Sequence, residues 1–199
     1  MKKMPCVFQR DFPADRSERV CRDEVTPGCE WVINGEGIAT RKWDGTACAV
    51  IEGALYARFD AKRGKTPPAG ALPCDPMPDP ITGHWPHWVK VEQQPEFKWH
   101  RMAWSYRSAF PVGTPDGTYE LVSPMINGNK ERVSEHLLFR HGMHKLDDAP
   151  RSHSGLKEYL SRLDAEGIVF HHPDGRMSKI RRSDFCMAWP PEGLDVMKR

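Results

Sequence analysis

The sequence predicts an α+β fold in which short strands form antiparallel sheets and helices are few. Many short runs of β-branched and aromatic residues are bounded by glycine, proline or Asp-Gly turns. Strand patterns do not alternate with helical patterns, as they would in a parallel β-α-β fold. At 199 residues the chain is long enough to bury a core. We therefore predict one domain over residues 1–199.

Strand patterns flank a proline-rich tract in the first half of the chain. The stretch "ACAVIEGALYARFD" (47–60) predicts two strands joined by a turn at Glu52-Gly53. Residues 64–86 carry seven prolines. Because proline lacks a backbone donor, this density excludes a helix or a central strand and predicts a long surface loop. The stretch "HWVKVE" that follows predicts another strand.

The second half contains the clearest helix. The stretch "GTYELVSP" (117–124) predicts a strand after a turn, and "SGLKEYLSRLDAEG" (154–167) predicts a helix with Ser154 as its N-cap. Leucines three and four residues apart form its apolar stripe: Leu156, Leu160 and Leu163. The stretches "GIVFHH" and "MSKIRRSDFCMAW" then predict two strands around the turn "PDG".

The composition is that of a globular protein. The net charge is +2, with 28% charged and 39% hydrophobic residues, which argues against a disordered tail or a polycation. No apolar run approaches the roughly 20 residues that a membrane span needs. The N-terminal stretch "MKKMPCVFQRDFPADR" lacks the apolar region of a signal peptide. We expect no membrane association and a cytoplasmic location.

Cysteines and histidines do not form a recognisable metal-binding pattern. The six cysteines are scattered without a C-x-x-C pair, which in a cytoplasmic protein favours reduced thiols. The nine histidines have neither H-E-x-x-H nor zinc-finger spacing. We therefore expect no dedicated transition-metal site.

The stretch "RKWDGTA" (41–47) groups Lys42 with Asp44 and Gly45. Asp-Gly is the commonest two-residue hairpin signal, so a surface turn would explain it. A nucleophilic lysine would also explain it, but such a lysine must lose its proton, which requires nearby cations or burial. Attack on a nucleoside triphosphate would further require cations for the phosphates, a carboxylate for a metal and a group for the sugar.

The chain after Lys42 supplies all of these groups in order. They are Arg58, Lys62 and Arg63 in "RFDAKRG", Glu120 in "YELV", Glu166 in "EGIVF", and Lys179 and Arg181 in "SKIRR". Lys179 and Arg181 are two residues apart on a predicted strand and therefore share a face. Each of these residues alone could be an ordinary surface charge, so the order of the motifs carries the interpretation.

In this order the motifs resemble the covalent nucleotidyltransferases, the superfamily of ATP-dependent DNA and RNA ligases and mRNA capping enzymes. "KWDG" resembles motif I, "YELV" motif III, "EGIVF" motif IV and "SKIRR" motif V. "LYARFDAKRGK" and "ITGHWPHWVKVEQQPEFKWH" resemble tracts of the small 5′–3′ RNA ligases of eukaryotes and viruses. The resemblance covers about residues 30–190. It implies an α+β nucleotidyltransferase (adenylation) domain with antiparallel sheets.

The resemblance implies a role for each motif. Lys42 would attack the α-phosphate of ATP and form lysyl-N-AMP. Asp44 and Glu166 would bind Mg²⁺ or Mn²⁺, and Glu120 would contact the nucleoside. Lys179 and Arg181 would hold the α-phosphate, with arginine standing at 181 where many relatives have lysine.

Three assignments stay open at this point. Arg58 is the first candidate for contacting sugar or phosphate, and Arg63 is the alternative. An apolar side chain of "HLLFRHG" (136–142) would stack on adenine, although its members could equally be core: Leu137, Leu138 and Phe139. The tract 84–107 interleaves tryptophans with lysines and arginines, which suits either RNA binding or a protein core.

The resemblance implies a minimal RNA ligase acting on RNA ends with a 5′-phosphate and a 3′-hydroxyl. Few residues follow "FCMAWPPEGLD", where DNA ligases and capping enzymes add an OB-fold domain, so we expect no such domain. The sequence does not determine the oligomeric state, for which we favour a monomer. One alternative is a non-catalytic nucleic-acid-binding module, which the near-zero net charge makes less favourable. The other is a guanylyl or adenylyl transferase with a different acceptor.

Overall fold

The structure is a computed structural model that describes residues 4–11, 20–62, 64–80, 82–106 and 114–191. Among these residues the strands are β1 (Phe8–Arg10), β2 (Cys21–Val25), β3 (Ile38–Lys42), β4 (Thr46–Ile51), β5 (Ala54–Ala61), β6 (Leu72–Pro73), β7 (Trp85–Lys90), β8 (Gly117–Val122), β9 (Leu137–Arg140), β10 (Gly167–His171) and β11 (Met177–Arg181). Antiparallel pairing joins these strands into sheets, and helices are few, as the sequence predicts.

The helices of the described residues are short. The α-helices are α1 (Glu30–Ile33), α2 (Lys98–Ser105) and α3 (His153–Arg162). The 3₁₀ segments are Val91–Gln93, Pro95–Phe97, Asn127–Asn129 and Arg182–Phe185. None of these helices has both the length and the apolar character that a bilayer span requires.

The backbone divides into two compact units. We call Asp44–His141 the central-segment unit. The described residues of Met4–Trp43 and those from Gly142 onward form the two-segment unit. A single nucleotidyltransferase domain over residues 1–199 stays a prediction.

The central-segment unit is built on a six-stranded sheet of order β6-β7-β5-β4-β8-β9. Each neighbouring pair in this sheet is antiparallel. Alternate side chains of the strands face one apolar core, against which aromatic residues of and near α2 pack. The buried members of this core are Cys48, Val50, Leu55, Ala57, Val91, Ala103, Tyr119, Leu121 and Leu138.

The predicted hairpin over residues 47–60 is confirmed. Strands β4 and β5 pair on either side of Glu52 and Gly53, whose φ angles are 51° and 72°. Two left-handed residues give the turn the twist of the flanking strands. The turn amides of Glu52 and Gly53 donate to the Asp116 carboxylate at 2.7 and 3.1 Å, which holds the tip.

The proline-rich tract is a loop, apart from the short strand β6 and the last two residues of the tract, Trp85 and Pro86, which begin β7. Residues 72 and 73 form β6, which pairs with β7 at the edge of the sheet. The loop prediction therefore holds for most of residues 64–86 and is wrong for β6 and for Trp85 and Pro86 of β7. An edge strand can contain Pro73 because its missing N–H removes no bond from a second neighbour.

The two-segment unit contains a three-stranded sheet of order β11-β10-β3 and the separate pair β1-β2. Its core combines one face of the three-stranded sheet with β1, α1 and α3. The largest fully buried side chains of this core are Val7, Phe8, Val32, Leu156, Leu160, Ile168, Phe170 and Ile180. The β10-β11 hairpin is confirmed, although β11 ends at Arg181 and a 3₁₀ segment follows.

The predicted boundaries of the C-terminal helix are wrong. The N-cap of α3 is Ser152 and not Ser154, because Ser152 has an extended backbone and its hydroxyl accepts from the Gly155 amide at 3.2 Å. The helix ends at Arg162, and Leu163 is already in an extended conformation. The apolar stripe holds for Leu156 and Leu160, which are fully buried.

The Asp-Gly of residues 44–45 is not a hairpin turn. Strand β3, which ends at Lys42, pairs with β10, whereas β4 pairs with β5 and β8. The two strands flanking Asp-Gly therefore lie in different sheets. The strand pairing therefore excludes a β-hairpin turn as the explanation for this motif.

No disulfide joins the six cysteines, all of which lie within the described residues. Four are buried, namely Cys6, Cys21, Cys29 and Cys48. Burial raises the pKa of the Cys21 thiol to about 12, so it stays protonated near neutral pH.

Candidate active site

Three predicted cationic residues lie on one face of the β11-β10-β3 sheet. Gly167 of β10 pairs with both Lys42 of β3 and Arg181 of β11. Two residues along β10, Val169 pairs with Lys179. Because directly opposite residues and alternate residues share a face, Lys42, Lys179 and Arg181 lie on the same side. The other side carries core residues, namely Ala39, Ile168, Phe170 and Ile180.

Gly167 is needed for the close approach of β10 and β11. A Cβ atom at this position would lie 2.2 Å from the Ile180 carbonyl oxygen and 2.8 Å from the Arg181 Cα. Both atoms belong to the backbone and cannot move aside without shifting the strand. Glycine therefore sets the spacing between Glu166, which precedes β10, and Arg181.

Lys42 and Glu166 form an ion pair. The Lys42 Nζ donates to Glu166 Oε2, and each side chain is 18% exposed. The two residues are 124 positions apart in the sequence and are joined by the pairing of β3 with β10. The predicted nucleophile and one predicted metal ligand are thus in direct contact.

Lys179 lies among like charges. Burial and, to a smaller extent, the charges of Lys42, Arg181 and Arg10 together lower the pKa of Lys179 to about 8, against the opposing effect of Glu166. The backbone of Lys179 is also held, since its amide donates to Pro5 O at 3.0 Å. The structure therefore concentrates positive charge on this face of the sheet.

A buried aspartate that sequence reasoning missed orients Arg181. Asp184 is fully buried, and it accepts from the Arg181 Nη2 at 3.0 Å and the Arg181 amide at 2.9 Å. Arg10 lies 3.4 Å from the same carboxylate. Burial acts to lower the pKa of Arg181, but the hydrogen bond and the charge of Asp184 raise this pKa overall. Arg181 is thus a fixed, permanent cation, and the sequence signal was the carboxylate three residues beyond it.

In the central-segment unit, residues 127–131 hold the motif I aspartate. Asp44 Oδ1 accepts from Asn127 Nδ2 at 2.7 Å, and Lys130 Nζ lies 3.7 Å from Oδ2. The Asp44 amide donates to Glu131 Oε1 at 2.8 Å. Asn127 also donates to Gly45 O at 3.0 Å. The side chain, the amide and the following carbonyl are therefore all engaged.

The segment that holds Asp44 has an unusual backbone. The φ angles of Asn127, Gly128 and Asn129 are 51°, 70° and 52°. Left-handed backbone is uncommon outside glycine, and asparagine is among the residues that best tolerate it. The stretch "NGN" was the available signal, because consecutive Asn and Gly favour such a turn.

Glu120 lies on β8 directly opposite Phe139 of β9. Its Oε2 is 3.0 Å from His141 Nε2. The neighbouring pair, Leu121 and Leu138, faces the core and is buried. Leu138 is therefore a core residue, whereas Phe139 shares the Glu120 face of the sheet.

Arg58 lies on β5, which β4 separates from the Glu120 strand β8 in the six-stranded sheet. Its Nε pairs with Asp60 Oδ1 at 3.0 Å on β5. Arg58 lines a cavity of about 530 Å³ together with the proline-rich loop, and neither Asp44 nor Glu120 lines that cavity. Arg63, the alternative candidate, lies outside the described residues.

Much of the aromatic and basic tract 84–107 has a structural role. Trp88 is buried, and Trp99 and Trp104 pack against the core. Arg101 donates to three backbone carbonyls at 3.3, 2.6 and 3.1 Å. Tyr106, at the end of α2, is exposed. The core explanation therefore accounts for these three tryptophans, and Arg107 lies outside the described residues.

The predicted metal ligands suit a hard divalent cation. Mg²⁺ is usually bound through one or two carboxylates together with substrate phosphates and water. Asp44 and Glu166 each carry a carboxylate, and each forms an ion pair with a lysine ammonium, that of Lys130 and that of Lys42 respectively. Among the described residues no three His, Cys, Asp or Glu side chains cluster as metal ligands.

The class of protein to which these features point is RNA ligase-like, and comparison with known proteins confirms the resemblance. A family model described as RNA ligase 1 matches residues 109–199. The chain is 26% identical to RNA ligase 1 of Rattus norvegicus over 269 aligned positions, which cover 95% of this chain and 82% of the relative. It is 25% identical to RNA ligase 1 of Mus musculus, covering 95% and 81%. RNA ligase 1 of Pongo abelii is 30% identical over 146 positions, covering 58% and 45%.

Proposed function

We propose that this protein is an ATP-dependent RNA ligase that joins a 5′-phosphate to a 3′-hydroxyl through lysyl-AMP on Lys42. The observation that carries the proposal is the grouping of Lys42, Lys179 and Arg181 on one face of the β11-β10-β3 sheet, with Glu166 in contact with Lys42. A lysine nucleophile acting on a phosphate needs these companions.

The first step is nucleotidyl transfer to Lys42. The amine must lose a proton, and Glu166 is the base within hydrogen-bond reach. The nitrogen lone pair then attacks the α-phosphorus, the P–N bond forms, and the bond to pyrophosphate breaks. Lys179 and Arg181 stabilise the negative charge on the α-phosphate.

A divalent cation, Mg²⁺ or Mn²⁺, would be held by Asp44 and Glu166. Such an ion neutralises phosphate oxygens and so favours departure of pyrophosphate. Asn127 and Glu131 orient the Asp44 segment for this role.

Glu120 contacts the nucleoside in this proposal. Phe139, on the same face, is the candidate for stacking on adenine. Arg58 or Arg63 contacts sugar or phosphate. In the later steps AMP passes from Lys42 to the RNA 5′-phosphate, and the 3′-hydroxyl displaces it.

The first prediction is that the purified protein becomes covalently labelled from α-labelled ATP and Mg²⁺, and not from GTP. Lys42→Ala should abolish the label, because the nitrogen that forms the P–N bond is gone. The control is Lys157→Ala, an exposed lysine on α3 of the same unit. Denaturing gel electrophoresis measures the label.

The outcomes separate the alternatives. Label retained by Lys42→Ala would place the nucleophile elsewhere, and labelling from GTP would indicate a guanylyl transferase. Labelling from ATP without RNA joining would indicate another acceptor for AMP. The absence of label from either nucleotide would favour a non-catalytic nucleic-acid-binding module.

A further inference from the structure

His141 connects two side chains of β8 in the central-segment unit. Its amide donates to Thr118 O at 3.0 Å, which fixes its backbone next to β8. Its Nδ1 is 3.0 Å from Thr118 Oγ1, and its Nε2 is 3.0 Å from Glu120 Oε2. Thr118 and Glu120 are two residues apart on one strand and share a face.

The acceptor chemistry determines where the proton of His141 lies. An ionised carboxylate can only accept, so Nε2 carries the proton and donates to Glu120. In the neutral imidazole, Nδ1 then accepts from the Thr118 hydroxyl. Both ring nitrogens are therefore engaged, and the ring cannot rotate without breaking two hydrogen bonds.

Glu120 is consequently held through one oxygen only. Oε2 accepts from His141, whereas Oε1 has no hydrogen-bond partner in the part of the chain that the structure describes. The Glu120 side chain is 14% exposed and that of His141 is 20% exposed. The carboxylate thus presents one acceptor oxygen in one orientation before any ligand binds, which lowers the entropy lost on binding.

We propose that His141 is a positioning residue that fixes Glu120 as the acceptor for a hydrogen-bond donor of ATP, and that Thr118 fixes His141. This inference rests on the proposed function, in which Glu120 contacts the nucleoside. Because Glu120 only accepts, its partner on the nucleotide is a donor, either a ribose hydroxyl or the adenine amino group. His141 therefore contributes to nucleotide recognition and takes no part in the chemical step.

The kinetic test compares His141→Phe, His141→Gln and Thr118→Val in self-adenylation. Phenylalanine keeps a ring but removes both hydrogen bonds, so we expect the KM for ATP to rise about tenfold or more with kcat nearly unchanged. Glutamine can still donate to Glu120 and should partly restore KM. Thr118→Val should give a smaller rise. His172→Gln, in the two-segment unit, is the control and should leave KM unchanged.

The binding test uses calorimetry in a Lys42→Ala background, where ATP is not consumed. The ligands are ATP, 2′-deoxy-ATP, 3′-deoxy-ATP and inosine triphosphate. We expect His141→Phe to weaken ATP binding about tenfold, and to have no effect on the one analogue that lacks the donor facing Glu120. That analogue should bind the parent protein more weakly than ATP does.

Three results would overturn the inference. They are an unchanged KM and affinity in His141→Phe, an equal loss for ATP and every analogue, and no binding of ATP by the parent. The proposed function fails separately, if the protein with Lys42 intact forms no lysyl-AMP. Normal lysyl-AMP formation by the wild type, together with an unchanged KM and affinity for ATP in His141→Phe, would refute the positioning role alone.

Discussion

Lys179 holds a positive charge in a partly buried position next to other cations. Burial and the neighbouring charges of Lys42, Arg181 and Arg10 lower its pKa to about 8, from a reference value of 10.5. Between these two values the unfolded chain binds a proton that the folded protein does not. Stability contributed by this residue therefore rises with pH through that window.

The prediction at this scale is that Lys179→Met stabilises the protein near neutral pH and abolishes self-adenylation. Removing a buried, repelled charge should raise the free energy of unfolding by roughly 1–3 kcal/mol at about pH 7, and by much less at about pH 10. Urea unfolding of the wild type and of Lys179→Met at the two pH values measures this difference in the free energy of unfolding. The titrating groups that the two proteins share contribute equally and cancel.

The control for Lys179 is the exposed Lys157. Replacing Lys157 by methionine should change stability little at either pH. If Lys179→Met and the wild type gain the same stability between the two pH values, Lys179 does not have a lowered pKa. If Lys179→Met still forms lysyl-AMP, Lys179 does not bind the phosphate.

At the scale of elements, the spacing of β10 and β11 sets the geometry of three motif residues. Gly167 lies between Lys42 and Arg181 in one row of the sheet and directly follows Glu166. Any added side-chain atom there meets backbone at 2.2 Å. Gly167 therefore allows the close spacing of β10 and β11, and its role does not depend on backbone flexibility.

We predict that Gly167→Ala destabilises the protein by about 2 kcal/mol or more and strongly reduces adenylation, because β11 must shift away. The matched control is Gly175→Asn in the turn of the same hairpin. A Cβ at Gly175 meets no atom within 4 Å, and asparagine tolerates its φ of 91° better than most residues do. Thermal unfolding and self-adenylation measure both effects. A melting temperature for Gly167→Ala equal to that of the wild type would contradict the steric argument.

At the scale of the whole molecule, two separated parts of the chain build the unit that carries Lys42. The described residues of Met4–Trp43 and those from Gly142 onward form it, and the intervening segment has a core of its own. The net charge of the chain is only +2, so general electrostatic attraction to RNA is weak. We therefore expect RNA joining to depend on specific contacts between side chains and the RNA, and not on the net charge of the protein.

The prediction for the complete reaction separates its steps. Lys42→Ala should fail with ATP yet still join a pre-adenylated RNA to a 3′-hydroxyl, because sealing needs no lysine nucleophile. Glu166→Ala should be poor with both substrates, since in the proposed mechanism Glu166 would hold a metal that supports both steps. Lys157→Ala serves as the control, and a denaturing gel measures joining.

Two results would contradict this scheme. Full activity of Glu166→Ala on the pre-adenylated strand would remove Glu166 from metal binding. Absence of joining by the wild type, alongside normal self-adenylation, would mean that AMP passes to something other than RNA.

The sequence by itself determined the class of protein and part of the local structure. Motif order led to the RNA ligase-like class, and the hairpins at 47–60 and 167–181 followed from local residue patterns and turn chemistry. Only the tertiary structure decided which groups support the motifs. The predicted residues and their contact partners are Lys42 with Glu166, Asp44 with Asn127, Glu120 with His141, and Arg181 with Asp184. Strand register and burial set these contacts, mostly between residues distant in sequence, and no local pattern encodes them.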